Sequence, residues 1–216
     1  MTTVFFCPEF FLGTNERTLI AQANTEAIEC SPDVFSKLSY RDRPDGLLAV
    51  APQVHCRLSD LKLSSTPFLV IAESIEKPGN LGTILRSADG AGVDAVIVCD
   101  PTTDVHNPNV VRSSVGTLFT VPVIEATAEE TLQFLKQQSI ALVAATPHAK
   151  TEFTEANFKV PLAVAVGTEQ YGLSDTWMSA ANVQVRIPMF GIADSLNVAS
   201  ATTLVLYEVI RQRKCS

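Results

Sequence analysis

Residues 76 to 92 read EKPGNLGTILRSADGAG, a segment that sets four glycines and one proline around Asn80 and Arg86 at helix-like spacing. Glycine lets a backbone approach a ligand closely. Two further segments have the same make-up: VGTEQYGLSD (166 to 175), which carries Glu169, and IPMFGIADSLN (187 to 197), which carries Ser195 and Asn197. Each of the three follows an expected strand and opens an expected helix. In an open α/β sheet, ligands gather at the carboxyl ends of strands, where helix N-termini offer unpaired N–H groups. The three segments are therefore candidate ligand loops.

The common nucleotide motifs do not explain them. GAGVDA (90 to 95) resembles a dinucleotide fingerprint, but its glycines precede a strand instead of following one, and no GxxxxGK[ST] loop occurs. A phosphate-binding kinase and an ordinary dehydrogenase are disfavoured.

Composition sets further bounds. The chain has 216 residues, of which 46% are apolar, enough for one medium domain or a domain with a short appendage. No apolar run approaches the roughly 20 residues of a membrane helix, and MTTVFFCPEF has no basic leader. A soluble, unexported, cytoplasmic protein is expected. Cys7, Cys30, Cys56, Cys99 and Cys215 are scattered, which suits reduced thiols, and His55, His106 and His148 are isolated in sequence. No metal is expected. The net charge of −7 counts against nucleic-acid binding unless a local basic patch exists; Lys77, Arg86, Arg112 and the terminal RQRKC are its candidate members.

Those loops need a frame to hold them. PFLVIA (67 to 72), VDAVIVCD (93 to 100), LFTVPVI (118 to 124), IALVAAT (140 to 146), PLAVAVG (161 to 167) and VQVRIP (183 to 188) read as strands covered on both faces. Helices are expected over 80 to 90, 107 to 115, 127 to 138, 172 to 181 and 195 to 213. In the last, Val198, Ala201, Val205 and Val209 form an apolar stripe and Ser195 stands at the N-cap position. An α/β domain with a mainly parallel sheet and helices on both faces follows for residues 67 to 216. Residues 1 to 66 lack clear βα alternation and read as an N-terminal extension and linker.

In order and spacing, N80-L-G82-T-I-L-R86-S-A88, VGTEQYGLS and IPMFGIADSLNVASA resemble the three motifs of the SpoU (TrmH-like) family of RNA ribose 2′-O-methyltransferases, in the SPOUT superfamily. The likeness covers roughly residues 67 to 213, and RPDGLLAV resembles the linker that precedes the catalytic domain in that family. The resemblance implies a deep C-terminal trefoil knot, a homodimer with its active site at the interface, S-adenosylmethionine as cofactor and transfer or ribosomal RNA as partner. It places Gly167, Ile187, Met189 and Leu196 around the cofactor, with Thr146 at its strand end. Arg86, Asn80, Glu169, Ser195 and Asn197 become the catalytic set.

Chemistry refines those implied roles. A ribose 2′-hydroxyl must lose its proton on or before attack, but a guanidinium stays protonated, so Arg86 is expected to stabilise the developing alkoxide or bind a neighbouring phosphate. Asn80 would cap its helix or orient ribose and the Arg86 head. Glu169 could pair with Arg86, with a partner subunit, or with a helix N-terminus. Two departures from the family pattern are Thr168, where Asn is frequent, and the order Ala199-Ser200. EAIECSPDVFSKLS (26 to 39) resembles only the tail of an RNA-binding domain. Two alternatives remain: a non-catalytic RNA- or cofactor-binding relative, against which the five polar residues argue, and a base-directed methyltransferase of the same fold.

Overall fold

The computed structural model describes residues 1–214. The chain forms two compact units, Met1–Val54 and the residues from His55 onward.

In the first unit, β1 (Thr3–Phe6), α1 (Glu16–Gln22), β2 (Glu26–Glu29), α2 (Pro32–Leu38) and β3 (Leu47–Val50) alternate. The sheet order is β2-β1-β3, with β1 parallel to β2 and antiparallel to β3. Cys7, Cys30 and Phe35 form its small core. The expected lack of alternation over residues 1 to 66 is thus corrected, and the LLAV of the expected linker is β3. Four-residue strands are too short to carry a periodic signal.

The second unit holds β4 (Phe68–Glu73), α3 (Pro78–Ala91), β5 (Ala95–Cys99), α4 (Pro108–Ser114), β6 (Val123–Ala126), α5 (Ala128–Gln137), β7 (Ala141–Ala145), β8 (Thr151–Glu152), β9 (Leu162–Val166), α6 (Asp175–Ala180), β10 (Val183–Arg186) and α7 (Val198–Lys214). Its seven-stranded sheet has the order β6-β5-β4-β9-β7-β10-β8, and every pairing is parallel. Alternate side chains of β4 show why the strands read as unbroken apolar runs. Phe68, Val70 and Ala72 join Leu81, Ile84, Leu85, Val110, Val205 and Val209 in one cluster beneath α3, α4 and α7, while Leu69 and Ile71 join Leu135 and Trp177 beneath α5 and α6.

Local chemistry sets the ends of these elements. Proline at the first turn starts α3, and Gly92, at φ 66°, lets the chain turn out of it. Thr127 and Glu130 form a capping box on α5. Two expectations shift. The strand expected from 118 begins at Val123, because Thr117–Phe119 turns as a 3-10 helix that buries Leu118. The helix expected from 172 is confined to Asp175–Ala180, because Thr168 and Gly172 exchange backbone hydrogen bonds of 3.0 Å in a tight hairpin first.

Arg213, near the end of α7, ties several strand entries together. Its guanidinium donates to the carbonyls of Thr66, Pro67, Phe158 and Val160 at 2.8 to 3.2 Å and lies 5.1 Å from the Phe68 ring centre. Burial lowers its pKa, with Asp94 opposing. Among the described residues no helix is long and apolar enough to cross a membrane, and Cys7, Cys30, Cys56 and Cys99 carry free thiols; Cys215 lies outside the described residues. Desolvation pushes the Cys99 thiol up to about 12.

Candidate active site

The carboxyl ends of β4, β9, β7 and β10 lie side by side in the sheet. The three glycine-bearing loops leave from β4, β9 and β10. Because the strands are parallel, all three emerge on one edge.

They meet through side chains. Asn80, in the first turn of α3, donates through Nδ2 to Oε1 of Glu169. Asn197 donates through Nδ2 to the same Glu169 oxygen at 2.9 Å and to Asn80 Oδ1 at 3.2 Å. Lys77 donates to Glu169 Oε2, forming an ion pair. Glu169 thus receives a donor from the first loop, a donor from the third and a counter-charge. The Lys77 hydrogen bond is the largest cause of a carboxyl pKa below the usual glutamate range; partial burial opposes it and Asn80 adds to it. The partner considered in sequence, Arg86, is not the one the fold supplies.

Asn197 is also the cap of α7. Its Oδ1 accepts from Ala199 N at 3.0 Å and Ser200 N at 3.4 Å, so the cap expected at Ser195 is corrected. An asparagine here does not compete with the helix, because it precedes the first turn. Asn80, by contrast, does not cap α3; Lys77 occupies that position without a side-chain cap.

Arg86 lies six residues after Asn80, about a third of a turn around α3 at ~100° per residue. It is exposed and lines an open cleft of about 490 Å³ between α3 and α4, with Asn109, Arg112, Ser113 and Val115. The two helices touch closely: a Cβ on Gly82 would lie 1.9 Å from Ser113 Oγ and 2.8 Å from Ser114 N. Glycine at 82 is therefore a helix-contact requirement.

The cofactor candidates fall into two groups. Thr146, Gly167 and Ile187 stand just beyond β7, β9 and β10, three neighbours in the sheet. Thr146 is 9% exposed; its N–H donates to Val185 O at 2.9 Å. A Cβ on Gly167 would sit 2.1 Å from Gly172 O, so that glycine closes the Thr168 hairpin. Met189, Ser195 and Leu196 lie on the third loop outside the Asn80–Glu169–Asn197 cluster; Ser195 and Leu196 are exposed, and Ser195 has no hydrogen bond among the described residues.

Three contributors were not singled out as site residues. In sequence Lys77 marks only a candidate basic patch. Glu73, 7% exposed at the end of β4, accepts from Ser174 N at 2.8 Å and anchors the second loop to the first strand. A lone glutamate closing an apolar strand was the available signal. Arg112 shows in sequence by its charge alone. The histidines also differ: the His55 and His106 rings meet edge-on at 5.4 Å, although among the described residues no group of three or more His, Cys, Asp or Glu side chains could hold a metal ion.

Residues 67–207, the stretch that contains all three loops and the sheet beneath them, match the SpoU rRNA Methylase family. The chain belongs to the SpoU family. Among SpoU relatives, a 23S rRNA (uridine(2479)-2′-O)-methyltransferase from Streptomyces viridochromogenes is 33% identical, over 91% of this chain and 71% of that one. A 23S rRNA (guanosine(2553)-2′-O)-methyltransferase from Bacillus subtilis is 28% identical, over 90% and 77%. The solved SpoU methyltransferase AviRb from Streptomyces viridochromogenes, in complex with AdoMet, superposes with a TM-score of 0.90 at 31% identity, over 99% of this chain and 83% of that one. An AdoMet-bound rRNA methyltransferase from Sinorhizobium meliloti gives 0.87 at 28% identity, over 97% and 79%.

Proposed function

We propose that this SpoU protein is an S-adenosylmethionine-dependent methyltransferase that methylates a ribose 2′-hydroxyl of RNA, with ribosomal RNA the first substrate to test. The observation that carries the reading is the convergence of Asn80, Glu169 and Asn197, from three loops far apart in sequence, on one carboxylate. The activities of the two relatives name the substrate class.

The residues at the strand ends suit the cofactor. Around Gly167, Thr146, Ile187, Met189 and Leu196 the available chemistry is backbone amides, one hydroxyl and apolar side chains with no carboxylate among them, which fits a purine nucleoside. When bound, S-adenosylmethionine supplies an electrophilic methyl group. The chain's own residues do the rest. Arg86, permanently charged and without a carboxylate partner, stabilises negative charge growing on the ribose oxygen. Glu169 is a poor base, because its pKa is lowered and its oxygens are occupied by donors. It is a positioning residue that locks the loops, and the ribose proton leaves to phosphate or water. Ser195 adds an uncommitted hydroxyl near Asn197 in sequence.

The same reading includes a C-terminal knot and a homodimer. In support of the first, β9 is inserted between β4 and β7, which precede it in the chain, and α7 returns to pack on α3. In support of the second, Leu204 and Tyr207 on α7 and Phe190 and Ile192 on the third loop are large apolar residues left exposed. A cytoplasmic location goes with an RNA substrate, and residues 67 to 216 form the catalytic domain, with its active site at the dimer interface.

The test is titration with S-adenosylmethionine beside tritiated-methyl transfer to ribosomal RNA from cells lacking the gene. Cofactor binding with alkali-resistant labelled dinucleotides is expected. Label released as a methylated base would redirect the reading to base methylation, and failure to bind the cofactor would overturn it.

A further inference from the structure

Arg86 shares its cleft with a second cation. Arg112, on α4, lines the same space, which contains two guanidinium groups and no carboxylate. Neither guanidinium has an ion-pair partner among the described residues. In a chain with 23 acidic and 16 basic residues, two guanidinium groups lining one cleft without a carboxylate is a local reversal of the overall charge.

A second feature of the cleft points the same way. Val115 ends α4 at φ 54° and ψ 37°, a left-handed conformation that is unfavourable for a β-branched residue, and it is 68% exposed. Burial in the core therefore does not explain the strain. Strained residues of this kind collect at ligand clamps. The close Gly82–Ser113 contact fixes α3 against α4 and so fixes the separation of the two arginine-bearing backbones.

Resting on the methyltransferase reading, we infer that Arg112 is the phosphodiester anchor of the RNA site, gripping the phosphate next to the target ribose while Arg86 is left to the ribose oxygen, with Val115 as the apolar wall of the cleft. Two anionic oxygens are thereby matched by two cations. A guanidinium fork suits this task because it binds phosphate bidentately. Arg112 is a substrate-binding residue, and its loss falls on RNA affinity.

The experiment uses the full chain and ribosomal RNA purified from cells lacking the gene, with filter binding across a salt series and steady-state methyl transfer. The wild type comes first: an inactive wild type that binds no cofactor refutes the methyltransferase reading itself. With an active wild type, Arg112→Ala should raise KM for RNA roughly tenfold or more while kcat stays within about threefold and cofactor affinity is unchanged. The slope of log affinity against log salt should become shallower by about 0.7 to 0.9. Arg112→Lys should keep the salt slope and recover part of the affinity, since charge remains and the fork is lost. Val115→Gly should raise both thermal stability and KM for RNA. A wild-type salt slope and KM in Arg112→Ala, a loss confined to kcat, or an unchanged KM in Val115→Gly would overturn the inference.

Discussion

Asn197 caps α7 with its oxygen and binds the loop cluster with its nitrogen, and two substitutions separate these jobs. Asn197→Ala removes the acceptor for Ala199 N and Ser200 N and the donor to Glu169. Loss of the cap costs about 1 kcal/mol, and loss of a partly exposed hydrogen bond to a charged group about 1 kcal/mol more. A combined ~2 kcal/mol lowers Tm by roughly 4 to 8 °C in a chain of this size. Asn197→Asp keeps the cap, because aspartate serves there as well as asparagine. It also sets a second carboxylate where an N···O distance of 2.9 Å now holds a donor. In this exposed setting the repulsion amounts to about 1 to 2 kcal/mol. Repulsion raises the folded-state pKa of each carboxylate relative to its value without the other, against the lowering by Lys77, so the penalty is full at neutral pH and is relieved as pH falls and one of the two takes up a proton. Calorimetry from pH 7 down to about 4.5, near the usual glutamate value, should therefore show the Asp variant regaining stability relative to the Ala variant. Methyl transfer should fall roughly a hundredfold in both, because the loops lose their registration. Parallel pH profiles for the two variants, or an Asp variant as active as wild type, would refute the reasoning.

Other outcomes follow from the same contacts. Gly167→Ala drives a Cβ against Gly172 O; a loss of about 1 to 3 kcal/mol in urea unfolding is expected, with cofactor affinity falling because the hairpin has moved, which titration checks. Arg213→Leu removes the donor recorded for the carbonyls of Thr66, Phe158 and Val160, while Pro67 O keeps Leu162 N, and should cost roughly 3 kcal/mol by chemical denaturation. Glu208 is held below the usual glutamate pKa first by Arg211, with Gln212 assisting and burial opposing. A lowered folded value means its stabilisation is present above about 4.5 and is lost as pH falls through the folded value, so Glu208→Gln should flatten the acid limb of the Tm profile. Cys99, pushed up to about 12, should resist alkylation at pH 8 in the native protein and react after unfolding.

Much of this protein was legible in the residues alone. Six apolar runs marked six of the seven strands of the large sheet, since buried strands leave an unbroken signal in sequence, whereas the parts played by Pro78, Gly92 and the Thr127–Glu130 pair at helix ends came with the structure. The loops were legible because glycine and proline state backbone requirements directly. Strand order and side-chain partners were not. That Glu169 pairs with Lys77 and not Arg86, that Asn197 reaches Glu169, and that Gly82 is a glycine because Ser113 arrives there are all consequences of residues distant in sequence. The Arg86–Arg112 cleft exists only because α3 and α4 lie in contact. Local sequence determined which segments could be strands, helices and ligand loops; tertiary structure decided which charges would meet, because Coulomb and hydrogen-bond energies depend on distance across the fold and a linear pattern records none.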